Sequence, residues 1–329
     1  MPSPFARPFA VALVVTLGLA CSRTQAPGGP LRVGYFPNVT HAQALVGLDD
    51  GTFSTALGGK LEARSFNAGP TAMEALLAGD LDASYVGPGP AITAFLRSKG
   101  TGLRVVAGAA SGGAVLVVAR GVAGPRDLAG KRVASPQLGN TQDVALRTWL
   151  RGQGLPEGRG PGAVEVTPIA NADILTLFVR GDLAGAWVPE PWGARLVAEG
   201  GARILLDERT LWPEGKFPSA LLVVSARALA ERRSDVAALV RAHVALTERW
   251  RSDPRAFAKL ANAGYGRRVG KPLPDAVLAD AFSRLEPVSE PLAWQLRELA
   301  KHAQALGYAP EGDVASITDL SLLQEIAHR

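Results

Sequence analysis

The chain writes one frame twice. "AGDLDASYVGPGP" occupies 78–90 and "RGDLAGAWVPEPW" occupies 180–192. Each has Gly-Asp-Leu, a short spacer, an aromatic, Val and a Pro-rich ending. A second echo lies upstream of each. "LRVGYFPNVTHAQALVGL" (31–48) and "KRVASPQLGNTQDVALRTWL" (131–150) share Arg-Val-small, a Pro, a polar turn with Thr, a Gln soon after it, and a helix. Arg32 stands 47 residues before Gly79, and Arg132 stands 49 before Gly181. Two echoes in one order at nearly one spacing predict two similarly wound units.

Each unit reads as strands alternating with helices of about ten residues, which predicts an α/β fold on a parallel sheet. The first unit runs "LRVGYF", "KLEARSF", "DASYVG", "LRVVAGA" and "AVLVVA" as strands, with helices between most of them. The second closes with "ARILLD", and "SALLVVSA" (219–226) is a further strand. From 227 onward the pattern is mostly helical. Asp253-Pro254 and Pro291 stand where helix starts are expected. If this tail packs on the first unit, the division is 31–118 for the first part of lobe one, 119–218 for lobe two, and 219–329 for the rest of lobe one. The chain would then cross between lobes near 118–121 and 215–221, which permits a hinge.

The N-terminus obeys another logic. "FAVALVVTLGLAC" is a short apolar run ending at Cys21, the only cysteine of 329 residues. It predicts a secretory signal over 1–20, followed by a Pro/Gly linker over 21–30. "LGLAC" resembles a bacterial lipobox, which implies a lipid anchor on Cys21 and an extracytoplasmic, membrane-attached protein. Gly18 stands where that pattern prefers Leu. An ordinary signal with an incidental cysteine is the alternative. A single cysteine allows no intrachain disulfide and no thiolate metal cluster. The formal charge is +5, and its basic groups are scattered without interleaved aromatics, so no nucleic-acid partner is expected. No metal site and no cofactor are expected either, since no phosphate loop, Gly-x-Ser-x-Gly or paired-histidine motif occurs.

Ligands of open α/β sheets bind beyond the carboxyl ends of the strands. The candidate site residues are therefore Pro37, Asn38, Thr40 and His41; Asn67; Gly87, Pro88, Gly89 and Pro90; Ser111, Gly112 and Gly113; Gly139, Asn140, Thr141 and Gln142; and Trp187, Glu190, Pro191 and Trp192. Most precede helices, where free backbone N–H groups and the helix dipole suit an anion without a lysine or arginine. Turn and cap residues would look the same. The changed endings predict a division of labour. The small "GPGP" would let backbone approach a ligand, while Trp187 and Trp192 would wall an organic tail and Glu190 receive an amine or cap a helix. Both tryptophans are equally readable as core residues, and His41 as a turn histidine.

Taken together, "LRVGYFPNVTHAQALVGLDDGTF", "ALLAGDLDASYVGPGPAI", "SGGAVLVV", "DLAGKRVASPQLGNTQDVALRTWL" and "GAWVPEPWGARLV" resemble the solute-binding proteins of nitrate, taurine and aliphatic-sulfonate ABC importers. The resemblance implies a periplasmic-binding-protein-like type II fold with two hinged lobes. It also implies a permease and ATPase complex as partners, a small anionic or zwitterionic ligand, and a monomer. Indoles favour an organic anion, so sulfonates rank first, then taurine-like zwitterions, nitrate or bicarbonate, and a thiamine-precursor pyrimidine. A sensory binding lipoprotein is a further alternative; an enzyme is not expected.

Overall fold

The computed structural model describes residues 28–327. The expected signal, Cys21 and most of the linker lie outside the described residues. Strands are β1 (Leu31–Tyr35), β2 (Leu61–Ser65), β3 (Ala83–Val86), β4 (Leu103–Gly112), β5 (Ala114–Val118), β6 (Arg132–Ser135), β7 (Glu165–Pro168), β8 (Gly185–Pro189), β9 (Arg203–Asp207), β10 (Pro218–Ser225) and β11 (Leu285–Pro287). Helices are α1 (Ala42–Asp49), α2 (Thr52–Ala56), α3 (Gly69–Leu77), α4 (Pro88–Arg97), α5 (Thr141–Gly152), α6 (Asn171–Val179), α7 (Trp192–Gly200), α8 (Ala226–Glu231), α9 (Arg233–Ser252), α10 (Pro254–Val269), α11 (Asp275–Phe282), α12 (Ala293–Ala305) and α13 (Ser321–Ala327).

Two sheets form. The first has the order β11-β4-β10-β3-β1-β2 and the second β9-β5-β8-β6-β7. Apart from the extra β11, each position in one sheet has its counterpart in the other. The duplication reaches single hydrogen bonds. Asp82 N–H donates to Arg32 O at 2.9 Å and Ala184 N–H to Arg132 O at 2.9 Å; Phe66 N–H donates to Tyr35 O and Ile169 N–H to Ser135 O. In both Gly-Asp turns the glycine has a positive φ, +83° at Gly79 and +81° at Gly181, a conformation that strains any residue with a Cβ.

The sheets are mixed, which corrects the expected parallel arrangement. β1 pairs in parallel with β2 and β3, but β10 runs antiparallel between β3 and β4. In the second sheet β5 runs antiparallel between β8 and β9. Both antiparallel strands follow a crossing from the opposite lobe, so they enter their sheet from the other end.

The first crossing also differs from the expected 118–121. It falls at Gly112-Gly113, and β5, read from sequence as the end of lobe one, belongs to the second sheet. The two glycines have φ of +76° and +70°. A Cβ on Gly112 would lie 2.3 Å from Arg284 O, and one on Gly113 would lie 2.3 Å from Leu285 Cδ2. An apolar run such as "AVLVV" carries no sign of which sheet it joins; the glycine pair before it does. The returning crossing spans 208–217, beside the expected place.

The cores lie on the sheet faces. In the first lobe α1, α9 and α10 cover one face, with Trp250, Phe257, Leu45 and Leu239 buried. Helices α3, α4 and α12 cover the other, around Phe95, Ile92 and Leu299. In the second lobe α6 and α7 cover one face and α5 the other. Helix α10 starts as its sequence predicts: Pro254 occupies the first turn and Asp253 Oδ1 accepts Ala256 N–H at 3.0 Å. The tail does more than pack on lobe one, since α11 meets α7 and α12 meets α5.

Candidate functional site

A cavity lies where the carboxyl ends of the two sheets face each other. It is lined by Phe36, Asn38, Thr40, His41, Asn67, Ala68, Gly69, Gly87, Pro90, Pro136, Asn140, Thr141, Gln142, Asn171, Pro189 and Ser219. Among these there is no Asp, Glu, Lys or Arg. Four helices begin at its wall: α3 at Gly69 and α4 after Gly87 from lobe one, α5 after Asn140 and α6 at Asn171 from lobe two. The short turn Val39–His41 adds a further edge. First-turn N–H groups have no partner within their own helix, and the aligned dipoles make each such end positive. The site is thus electropositive without a cationic side chain. Its volume is about 30 Å³, room for two or three waters at about 10–15 Å³ each.

Local chemistry fixes each wall. Asn140 caps α5, its Oδ1 accepting Asp143 N–H at 2.8 Å. The buried Asp143 carboxylate in turn accepts Ser135 Oγ–H at 2.6 Å, Gly139 N–H at 2.9 Å and Arg147 Nε–H at 3.0 Å. This holds the 136–140 loop in one shape. His41 is buried, its ring stacked on Phe36 with centroids 4.5 Å apart. Its Nδ1 accepts Phe36 N–H at 3.2 Å, which places the neutral ring's proton on Nε2. Burial lowers its pKa from 6.5 to about 3, so His41 is an uncharged donor at neutral pH. Asn171 Oδ1 is buried and has no hydrogen-bond partner. An acceptor left so on a cavity wall calls for a donor.

The lobes touch around this cavity. Gly89 N–H donates to Thr141 Oγ1 at 3.1 Å. Trp192 Nε1–H donates to Asn38 Oδ1 at 3.1 Å. Arg284 Nε–H donates to Glu190 Oε1 at 2.7 Å. A Cβ on Gly89 would stand 3.1 Å from both N and Cα of Thr141, and one on Gly87 2.6 Å from Thr141 Oγ1. The "GPGP" glycines therefore admit the opposite lobe's helix, where sequence suggested they admit ligand.

Of the expected residues, Asn38, Thr40, His41, Asn67, Gly87, Pro90, Asn140, Thr141 and Gln142 line the cavity. The others stand elsewhere. Pro37, Pro88 and Gly89 are neighbours of lining residues. Ser111, Gly112 and Gly113 form the crossing: Ser111 Oγ accepts Phe217 N–H at 3.2 Å and Gly112 N–H donates to Phe217 O at 3.1 Å. Gly139 faces Tyr308. Trp187 is fully buried in the second lobe's core, its Nε1–H donating to Glu208 Oε2 at 2.8 Å. Its counterpart Tyr85 is equally buried, its hydroxyl 2.9 Å from His243 Nδ1. The aromatic of the shared frame is thus a core residue in both lobes. Glu190 is fully buried, and its carboxylate is already paired with Arg284 and accepts Ala194 N–H at 3.0 Å. Pro191 precedes α7. Trp192 is half-buried with Arg195 4.7 Å over its ring; it reaches the cavity only through Asn38.

Sequence reading passed over Phe36, Ala68, Gly69, Pro136, Asn171, Pro189 and Ser219. Most belong to loops it did select. Asn171 follows β7, whose segment carries no strand signal of its own, although that of its counterpart β2 does. Extending the repeat by one strand would have found it.

Two α/β lobes joined by two crossings, with the cleft between their strand ends, define the class: a periplasmic-binding-protein fold. A model of the NMT1-like family matches residues 24–263, and the chain belongs to that family. The taurine-binding periplasmic protein of Escherichia coli is 27% identical over 229 residues, 66% of this chain and 68% of that relative. In structure, the nitrate-binding protein of Synechocystis superposes with a TM-score of 0.77 at 15% identity, covering 92% of this chain and 90% of that one. The alkanesulfonate-binding protein of Xanthomonas axonopodis bound to MOPS gives 0.69 at 21% identity, covering 87% and 96%.

Proposed function

We propose that the chain is the extracytoplasmic solute-binding component of an ABC importer that captures a short aminoalkanesulfonate of the taurine type. The observation that carries this is the convergence of four helix N-termini, two from each lobe, on a cavity without charged side chains. A sulfonate there would receive N–H donors and dipole stabilisation from both lobes at once, so binding favours the closed form. Asn171 Oδ1 supplies an acceptor for the ammonium end. The small volume disfavours long alkyl or aryl tails, and even taurine, with seven heavy atoms, requires the cavity walls to part around it; with Trp187 in the core and Trp192 outside the cavity no indole is left to cover a tail. The Escherichia coli relative named for taurine supports the same class. Nitrate is the second reading, since a compact planar anion fits about 30 Å³ and needs no ammonium acceptor.

Cys21 is proposed as the lipidated anchor on the outer side of the membrane, and a permease with its ATPase as the partner of the closed monomer. Cys21→Ser should move the protein from the membrane to the soluble fraction of cells. Calorimetry of the soluble form against taurine, ethanesulfonate, nitrate and bicarbonate tests the ligand. Taurine should bind tightest, and Asn171→Ala should reduce it about tenfold, toward the ethanesulfonate value, through loss of one hydrogen bond to a charged group. Nitrate binding with silence toward both sulfonates selects the second reading. Silence toward all four overturns the anion site.

A further inference from the structure

A second cavity lies behind the hinge. It measures about 400 Å³ and is walled by α5, the returning crossing and α12. Three indoles face it, from Trp149, Trp212 and Trp294. Trp212 meets Trp294 edge to face with ring centroids 6.4 Å apart. Two carboxylates line it, Glu208 and Glu298, and no lysine or arginine does.

Glu208 is the unusual member. It is 1% exposed. Among the described residues it forms no ion pair; its Oε2 accepts the neutral Trp187 indole N–H at 2.8 Å, and the Trp212 indole also stabilises the carboxylate. Burial pushes the carboxyl up to about 7, with Trp187 and Trp212 opposing the shift. A carboxylate buried without a cation is costly, and such groups concentrate at binding sites. Thr148 Oγ1, on the same wall, is also buried without a partner. Compact organic cations are held by indole faces together with a carboxylate.

We propose that this cavity binds a small organic cation of the quaternary-ammonium type, with Glu208 as its counter-charge and Trp149, Trp212 and Trp294 as its walls. The site is separate from the anion cavity and does not depend on which anion that cavity takes. It touches both lobes, since α5 carries Thr148 and Trp149 here and Asn140 to Gln142 at its other end. An occupant therefore bridges α5 and α12 and biases the same hinge.

The test is calorimetry of the soluble chain with choline chloride at pH 8 in a sodium chloride background, with 3,3-dimethylbutanol as the uncharged isostere. Choline should bind and the isostere should not compete. Trp294→Ala removes a half-exposed ring, and Glu208→Gln keeps an acceptor for Trp187 while deleting the charge. Each should weaken choline at least about tenfold while circular dichroism and anion binding persist. No choline binding, equal binding of the isostere, or affinity unchanged in both variants would overturn the proposal.

Discussion

Trp192 illustrates how a residue serves a cavity it does not line. Its Nε1–H holds Asn38 Oδ1 from the opposite lobe at 3.1 Å, and Asn38 forms the wall. Trp192→Phe keeps the ring under Arg195 and removes only the N–H. It should weaken anion binding several-fold, about 1 kcal/mol for one neutral hydrogen bond, with a change in Tm too small to explain it. Equal losses in both would make the contact merely structural. Glu208 gives the opposite sign. Folding raises its carboxyl from 4.5 to about 7, so the folded chain keeps a proton that the unfolded chain has released. Its contribution to stability is full below about 4.5, falls as pH rises toward 7, and stays lowered above. Glu208→Gln should therefore raise Tm at pH 8 and leave it nearly unchanged at pH 4, as thermal melts at the two pH values would show. A destabilised Gln variant at pH 8 would mean that the carboxylate is stabilising. Single residues were also where the sequence was least legible. Nothing in "GAWVPEPW" says that Trp187 turns into the core: both faces of β8 are covered, so alternation along the strand carries no polar mark.

At the scale of elements the sequence was far more legible, because repetition is a pattern and does not depend on one side chain. The two echoes correspond to β1 with β6 and β3 with β8, down to matching hydrogen bonds. What escaped was β7. "EVTP" is short, half-buried and closed by a proline, so it lacks the apolar run that marks a strand. The antiparallel direction of β5 and β10, both legible as strands, escaped for a different reason: direction depends on where the chain crosses between lobes, which for β5 is set by Gly112 and Gly113 and for β10 by the 208–217 segment. The glycines of the lobe-one loop make an element-level prediction. Gly89→Ala places a methyl 3.1 Å from the backbone of Thr141, tighter than ordinary contact, at the start of α5. The lobes would then meet a few tenths of an ångström short. Anion affinity should fall about tenfold or more, while the open protein folds normally, since position 89 has no positive φ. Small-angle scattering with saturating ligand would reveal the incomplete closure; full compaction would show that α5 simply shifts.

For the whole molecule, the charge design of the cleft separates ligand binding from pH. Folding holds His41 at about 3 and His243 at about 4 against an ordinary 6.5, both through burial. The folded protein therefore refuses two protons that the unfolded chain accepts. Their contribution to stability is complete above 6.5 and is lost as pH falls toward 3 to 4. Thermal melts should show Tm dropping between pH 6.5 and pH 4, and dropping more steeply in Glu208→Gln, which lacks the carboxyl that gains stability over the same window. The anion cavity, by contrast, contains no group that titrates across this range while folded. Its positive potential comes from peptide dipoles, which do not ionise. Affinity for a sulfonate measured at 25 °C, where the protein stays folded, should thus be flat from pH 5 to pH 8. A site built on an imidazolium would instead tighten as pH falls through the histidine range. Such tightening here would mean that the ligand carries a proton onto His41, and that the bound state has a different electrostatic design from the one these helix ends define.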